Sequence, residues 1–206
     1  MTDEVQTIDE ELQIQLHHFV NKGFILTTAP SLVMEEILVA VDDIMSQKVN
    51  PKQFNHRLAG QLQHEYELTF SDEAKELLEK VTNEWHRNHG SLGTPNKLIE
   101  SWINLQQKHE FNPPHLHDGQ LSWVIWANIP YNLKDELNQF PKARHHEASM
   151  FGFLWTDSLG NIKSKMLPVD KDWAGKMIVF PAAMRHFVNP FYTSDGLRIS
   201  VAGNMG

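Results

Sequence analysis

The sequence contains no cysteine. This absence excludes disulfide bonds, and it also excludes thiolate zinc sites and iron–sulfur clusters, because each of these needs cysteine sulfur. No apolar run approaches the roughly 20 residues that a membrane-spanning helix requires. The first six residues, 1–6, are acidic where a secretory signal would be basic. We therefore expect a cytoplasmic protein that does not act in a membrane.

Clusters of basic residues are also missing. The formal net charge is -8, and the 18 lysines and arginines are dispersed along the chain. Nucleic-acid binding requires grouped positive charges, so we expect no nucleic-acid partner. The content of 41% hydrophobic and 21% charged residues is that of an ordinary globular protein, and 206 residues suit a single domain.

The first part of the chain predicts helices and a short strand. Residues 24–28 favour a strand, and apolar residues recur at helical spacing over 31–46. Ser71 is a suitable N-cap for a second helix that runs to about His89, where Gly90 can end it. This part, residues 1–95, is expected to support the remainder of the domain or to form a homodimer face.

The second part, residues 96–206, changes to short segments that are rich in Val, Ile, Phe and Trp and are separated by turn residues. Helices followed by a run of strands indicate a β-sandwich or roll with helices packed outside it. Shorter strands are expected around His115 and His186. The longer predicted strands are Leu98–Gln106, Leu121–Ile129, Met150–Trp155, Lys163–Leu167, Lys176–Phe180 and Leu197–Ala202.

Two of the 12 histidines form a His-x-His motif, His115 and His117. Side chains alternate along a strand, so an extended motif directs both imidazoles to one face, where they can share a metal ion at about 2.0–2.1 Å. The preceding Pro113 and Pro114 favour that extended form. Alternatively, a pair of strand histidines is structural or faces solvent.

A third histidine, His186, follows an apolar strand and a proline turn, and an antiparallel return can place it beside the pair. Twelve residues later, alternation puts Arg198 and Ser200 on one face of a strand. A buried arginine is costly without an anion, and its planar guanidinium suits a carboxylate. The pattern predicts an anion site beside the metal, whereas an edge-strand arginine in solvent is the simpler alternative.

These elements resemble the 2-oxoglutarate/iron(II) dioxygenase superfamily, in particular a group of oxygenases from marine bacteria and their phages. The resemblance covers Glu100 to Asn204 and rests on the order of several short segments. These segments are Ser101–Asn104, Pro114–His117, Leu121–Trp126, Ile129–Tyr131, Gly175–Pro181, His186–Phe191 and Arg198–Asn204.

The resemblance implies a mainly β double-stranded β-helix, or jelly roll, with flanking N-terminal helices. It implies iron(II) and 2-oxoglutarate as cofactors and dioxygen as cosubstrate. The enzyme would hydroxylate a C–H bond of a small-molecule or peptide substrate while 2-oxoglutarate becomes succinate and carbon dioxide. Arg198 and Ser200 would hold the distal carboxylate of 2-oxoglutarate, and Asn104 and Trp126 would line its pocket. The cell would be bacterial or phage-infected, and no catalytic residue is expected beyond the metal centre.

The ligand set departs from the superfamily pattern, which is His-x-Asp or His-x-Glu with a distal His. Here His117 occupies the position of the acid, which predicts a site of His115, His117 and His186. In a second register His117 is the first ligand and Gly119 takes the acid position. In a third, Asp118 binds the metal, although alternation disfavours it.

Two other kinds of protein remain as alternatives. A cupin shares the β-roll and the His-x-His motif, but the glutamate expected shortly afterwards is missing from residues 118–122. A cupin and a 2-oxoglutarate enzyme are distinguished by whether Arg198 faces the metal cavity. A non-catalytic β-roll would instead keep the three histidines apart. The polar segment Tyr131 to Ala148 is interpreted either as a lid over the site or as a long surface loop.

Overall fold

The computed structural model describes residues 4–9, 12–16, 23–57, 59–88 and 95–206. Most of its strands form two antiparallel sheets. The larger sheet has the order β3-β10-β7-β12-β5-β4, and the smaller sheet has the order β6-β11-β8-β9. A separate hairpin pairs β1 (Glu4–Asp9) with β2 (Leu12–Leu16). The two large sheets form the jelly roll, as the sequence predicts.

The larger sheet is built from strands that are distant in sequence. In chain order these are β3 (Ile25–Thr28), β4 (Glu65–Glu67), β5 (Leu98–Gln106), β7 (Leu121–Asn128), β10 (Lys176–Pro181) and β12 (Arg198–Met205). The smaller sheet contains β6 (Asn112–His115), β8 (Phe151–Thr156), β9 (Ile162–Leu167) and β11 (Arg185–Val188).

The larger sheet is covered on both faces, which explains its nearly continuous apolar strands. In β7, Trp123 and Ile125 pack into a core on the outer face, together with the helices. Val124 and Trp126 point the opposite way, into a second core between the two sheets. The inner face of this sheet is therefore the wall against which an internal cavity can form.

Two helices cover the outer face. Helix α1 is Ser31–Met45 and helix α2 is Asp72–Asn88. The Ser71 hydroxyl accepts a hydrogen bond from the Ala74 amide at 3.2 Å, as expected of an N-cap. The predicted end of this helix at His89 and Gly90 lies outside the described residues. A third helix, α3 (Leu133–Asn138), was missed in the sequence because it is short and follows a polar loop.

The predicted strands are confirmed, with shifts of a few residues at their ends. β12 continues to Met205, three residues beyond the predicted Ala202, because it pairs with both β5 and β7 over that length. The turn at residues 157–161 joins β8 to β9. Within the described residues, the structure has no helix that is long and apolar enough to cross a membrane.

Candidate metal centre

Three histidines converge at the smaller sheet, two of them on neighbouring strands and the third just beyond the end of one strand. His115 ends β6, His117 follows two residues later, and His186 lies on β11 directly opposite His115. One ring nitrogen of each lies within 4.8 Å of the others. The ring centroids are separated by 4.2 Å for His115 and His186 and by 5.0 Å for His117 and His186. This arrangement can hold a single metal ion on three imidazoles.

Backbone contacts orient the rings. The Nδ1 atom of His115 lies 2.7 Å from the carbonyl oxygen of Pro113, and Nδ1 of His186 lies 3.1 Å from that of Met184. A carbonyl only accepts, so each Nδ1 carries the hydrogen and donates it. The unprotonated Nε2 atoms are then left to bind a metal. Hydrogen bonds of this kind, from the other ring nitrogen to a carbonyl, commonly orient histidine ligands.

Burial keeps these imidazoles neutral. Desolvation and, to a smaller extent, the neighbouring His115 together lower the pKa of His117 to about 3. Desolvation also lowers the pKa of His115, and it lowers that of His186 well below its usual range. A neutral imidazole is the form that binds metal, so burial prepares the three side chains as ligands.

The acid that the superfamily pattern requires does not join this group. Asp118 is exposed, and among the described residues the metal-ligating group contains only the three histidines. Leu116 is 49% exposed and Asp118 points outward with it, as alternation along an extended segment predicts. The register that leaves His115 unused also does not match, because the His115 ring lies beside that of His186.

Arg198 lines the same cavity as the three histidines. It is 2% exposed, and all five of its N–H groups have neutral acceptors. Nε and Nη2 donate to Gln106 Oε1 at 3.0 and 2.7 Å, and Nη1 donates to the Tyr131 hydroxyl at 2.7 Å. The remaining two bonds go to the carbonyl oxygens of Ser149 and Asn189. No acid of the described residues forms an ion pair with Arg198.

The strand register sets Ser200 between two other predicted residues on the inner face of the larger sheet. Ser200 lies opposite Asn104 on β5 and opposite Trp126 on β7. The Nδ2 atom of Asn104 donates to the Ser200 hydroxyl at 3.3 Å. The structure therefore brings Asn104, Trp126, Arg198 and Ser200 into the cavity that the three histidines line.

Sequence reasoning missed four polar residues of this site, namely Glu65, Gln106, Asn112 and Tyr131. Alternation from Asn104 along β5 would have placed Gln106 on the same face, so that signal was present. Tyr131 was assigned to a possible lid, whereas its side chain is buried and contacts Arg198. Glu65 lies on a strand of three residues, which is too short for periodicity to detect.

The segment interpreted as a lid or as a long surface loop is attached to the body of the protein. Glu136 of α3 is fully buried, and its carboxylate accepts hydrogen bonds from the backbone N–H groups of Tyr192 and Thr193, each at 2.8 Å. The Thr193 hydroxyl is a third donor to it. These bonds join α3 to the loop that precedes β12. Helix α3 is therefore held against the loop that leads into Arg198 at one end of the cavity.

A sequence model of the family described as "Putative 2OG-Fe(II) oxygenase" matches residues 100–204, just over half of the chain. A comparison with curated proteins gave no match. The matched region contains the histidines, Arg198 and Ser200. It therefore includes all seven of the site residues that the sequence predicts.

Solved structures share the fold at low sequence identity. A prolyl-4-hydroxylase of Pseudomonas putida is 16% identical, with a TM-score of 0.54 over 88% of this chain and 91% of that one. The viral collagen prolyl hydroxylase of Paramecium Bursaria Chlorella virus-1, in its 2OG complex, is 10% identical, with a TM-score of 0.50 over 88% and 94%. HygX of Streptomyces hygroscopicus, solved with nickel, 2-oxoglutarate and hygromycin B, is 10% identical, with a TM-score of 0.51 over 90% and 83%.

Proposed function

Because the chain belongs to the family of 2OG-Fe(II) oxygenases, we propose that it hydroxylates a C–H bond of its substrate at an iron(II) ion held by His115, His117 and His186. The cofactors of the family are iron(II) and 2-oxoglutarate, and the reaction consumes dioxygen. 2-Oxoglutarate is converted to succinate and carbon dioxide. No further catalytic residue is assigned.

One observation carries this proposal: a buried cation lies in the same cavity as three neutral imidazoles. Arg198 has only neutral hydrogen-bond partners among the described residues, so no carboxylate binds it directly there. A buried charge without a counter-ion is unfavourable, and a carboxylate entering the cavity would relieve that cost. The distal carboxylate of 2-oxoglutarate would supply that charge.

The chain's own residues would bind and orient the cosubstrate. Arg198 would exchange one of its neutral acceptors, such as Gln106, for the distal carboxylate, because a charged acceptor makes the stronger hydrogen bond. The Ser200 hydroxyl would donate a second bond to it. Asn104 would turn its amide nitrogen toward the other carboxylate, and Trp126 would form an apolar wall that excludes water. When bound, the iron supplies the activation of dioxygen.

The three-histidine set changes the charge of the site. An acid ligand would cancel one of the two positive charges of iron(II), whereas three neutral imidazoles cancel none. With the distal carboxylate of 2-oxoglutarate bound to Arg198, its other carboxylate would balance only one of these two charges. A three-histidine centre would therefore keep one more positive charge than a centre with an acid ligand.

The two alternatives are less well supported. A cupin without 2-oxoglutarate leaves the orientation of Arg198 into the metal cavity unexplained. A non-catalytic β-roll predicts that the histidines lie apart, whereas their ring nitrogens lie within 4.8 Å of one another. We also propose one domain, in which residues 1–95 support a roll formed by residues 96–206, and a cytoplasmic location without a nucleic-acid partner. The packing of α1 and α2 against the larger sheet supports the domain proposal.

The substrate is proposed to be a small molecule or a peptide. Of the three solved structures compared above, two are prolyl hydroxylases and one was solved with hygromycin B bound. The fold therefore accommodates more than one class of substrate, and the choice depends on the residues at the mouth of the cavity.

The proposal is tested by adding iron(II) and then 2-oxoglutarate to the purified protein without oxygen. We expect a visible absorbance band that requires both additions, and succinate release when air is admitted. His145→Ala is a matched control, because His145 is exposed and lies outside the site. Failure of the parent protein to bind iron(II) or cobalt(II) would refute the metal centre. A protein that binds the metal but does not bind 2-oxoglutarate would favour the cupin.

A further inference from the structure

Glu65 is an unpaired acid inside the site cavity. It is 1% exposed and lines the cavity together with the histidines and Arg198. Neither carboxylate oxygen has a hydrogen-bond partner among the described residues. The register places Glu65 opposite Asn104, which itself lies opposite Ser200. Glu65 is therefore the edge member of a row of cavity residues that crosses the larger sheet.

The polar atoms around Glu65 are also acceptors. The Oδ1 atoms of Asn104 and Asn112 are buried and have no donor among the described residues. A Cβ atom at Gly60 would lie 2.5 Å from Asn112 Oδ1 and 3.0 Å from Glu65 Oε1. The two oxygens therefore lie close to Gly60, whose lack of a side chain leaves room for them. This corner of the cavity offers several acceptors, and within the described part of the chain no donor bonds to them.

The corner is also electronegative. Burial raises the pKa of Glu65 to about 7, and the negative charge of Glu110 raises it in the same direction. The carboxylate of Glu110 accepts bonds from the backbone N–H groups of Gln63 and Gln107, which do not neutralise it. A buried carboxylate without a partner is unfavourable, so a cation arriving here would be bound strongly.

We propose that Glu65 binds an ammonium group of the substrate, so that the enzyme acts on an amine that is protonated at neutral pH. This inference rests on the proposed function and adds the substrate class to it. An ammonium group has three donors and no acceptor, which matches Glu65 and the amide oxygens of Asn104 and Asn112. Arg198 remains the proposed partner of the distal carboxylate of 2-oxoglutarate, so one charged residue would bind the substrate and the other the cosubstrate.

A metal ion is a weaker candidate for this corner. Among the described residues, Glu65 does not belong to any group of three His, Cys, Asp or Glu side chains that could hold a metal ion. Calcium takes about 6–8 oxygen ligands, more than the side-chain oxygens of Glu65, Asn104 and Asn112 supply, whereas an ammonium group needs one acceptor for each of its three donors. A neutral alcohol offers one donor and no charge, so a comparison of an amine with an alcohol separates the two classes of ligand.

The test compares n-butylamine with n-butanol, which share a carbon skeleton, on protein loaded with Zn(II) and 2-oxoglutarate. Binding is measured by ligand-observed NMR. We expect the amine to bind roughly 10-fold more tightly than the alcohol, as expected for one charge-assisted hydrogen bond. In Glu65→Gln this preference should disappear. Glu67→Gln is the matched control, because Glu67 lies on the same strand and forms an ion pair with Lys52.

A second measurement locates the amine without any variant. Replacing Zn(II) by Co(II) should broaden the proton signals of n-butylamine, because one cavity would contain both the metal and the amine. The inference is overturned if the parent protein shows no preference for the amine, if Glu65→Gln keeps that preference, or if Co(II) leaves the signals sharp. If any of these results occurs in protein that binds metal and 2-oxoglutarate, it contradicts the amine as substrate class but not the proposed function.

Discussion

His186 and His115 are direct partners in the antiparallel pairing of two short strands, with their ring centroids 4.2 Å apart. Residues that face each other across such a pair project to the same side of the sheet. The register of β6 and β11 therefore brings together two histidines that are 71 positions apart. His117 completes the group because its backbone N–H donates to the Ala182 carbonyl at 3.0 Å, which holds the segment after β6 in place.

Replacing His186 by alanine should abolish tight metal binding. The change removes one of three ligands, and we expect the affinity for cobalt(II) to fall by more than about 100-fold, the upper effect of changing an outer-shell partner. Metal titration followed by visible absorbance measures this effect. His145→Ala should bind as the parent does, since that side chain is exposed.

The His117→Asp variant provides a second comparison for the metal centre. It restores the acid of the superfamily pattern, so it should still bind cobalt(II) while His186→Ala does not. Retained affinity in His186→Ala would show that the convergence of the three rings does not create the binding site.

The sequence predicted the two faces of β12 well, because they differ chemically. Alternation placed Arg198 and Ser200 on one face and Ile199 and Val201 on the other. The structure places the first pair in the cavity and the second in the outer core. Strand β12 was predicted too short, because pairing with two neighbours extends it beyond its most apolar residues.

The polar partners of the site were harder to predict. Glu65 and Asn112 reach the cavity through short strands of three and four residues, whose pairing depends on distant segments. Tyr131 follows Pro130 at the start of a polar segment, so nothing local distinguishes it from an exposed loop residue. Its burial results from packing on Phe191, with ring centroids 5.0 Å apart, which is a contact between residues distant in the chain.

Replacing Arg198 by lysine should weaken 2-oxoglutarate binding and leave the metal in place. Lysine keeps the charge but loses the planar fork that now donates from Nε and Nη2 to Gln106. We expect the affinity for 2-oxoglutarate to fall roughly 10- to 100-fold, equivalent to a charge-assisted hydrogen bond of about 1.5–3 kcal/mol. Arg144→Lys, at an exposed position, is the control. Unchanged affinity for 2-oxoglutarate in Arg198→Lys would show that the guanidinium does not bind the cosubstrate.

Glu136→Ala should destabilise the protein by about 2–4 kcal/mol, because three donors that now bind its carboxylate would lose their acceptor. The loss is measured by urea denaturation. Asp135→Ala, one residue away and exposed, should have little effect. Equal stability of the two variants would mean that α3 is not anchored by Glu136.

The effect of Glu65→Gln on stability should depend on pH. The pKa of Glu65 is raised from 4.5 to about 7 in the folded protein. Between these values the unfolded chain ionises while the folded protein retains its proton, so rising pH lowers the parent's free energy of unfolding. Glutamine does not ionise, so the free energy of unfolding of the variant does not fall in this way. The variant should therefore gain stability relative to the parent as the pH rises from 4.5 to 7, with little further change above pH 7.

Urea denaturation of both proteins at pH 5 and pH 8 measures this gain. Glu73→Gln is the control, because Glu73 is an exposed carboxylate in the first turn of α2, and its difference from the parent should be similar at both pH values. A difference between Glu65→Gln and the parent that stays constant from pH 5 to pH 8 would mean that Glu65 is solvated or paired in the folded protein. The buried carboxylate would then not be available as the ammonium site.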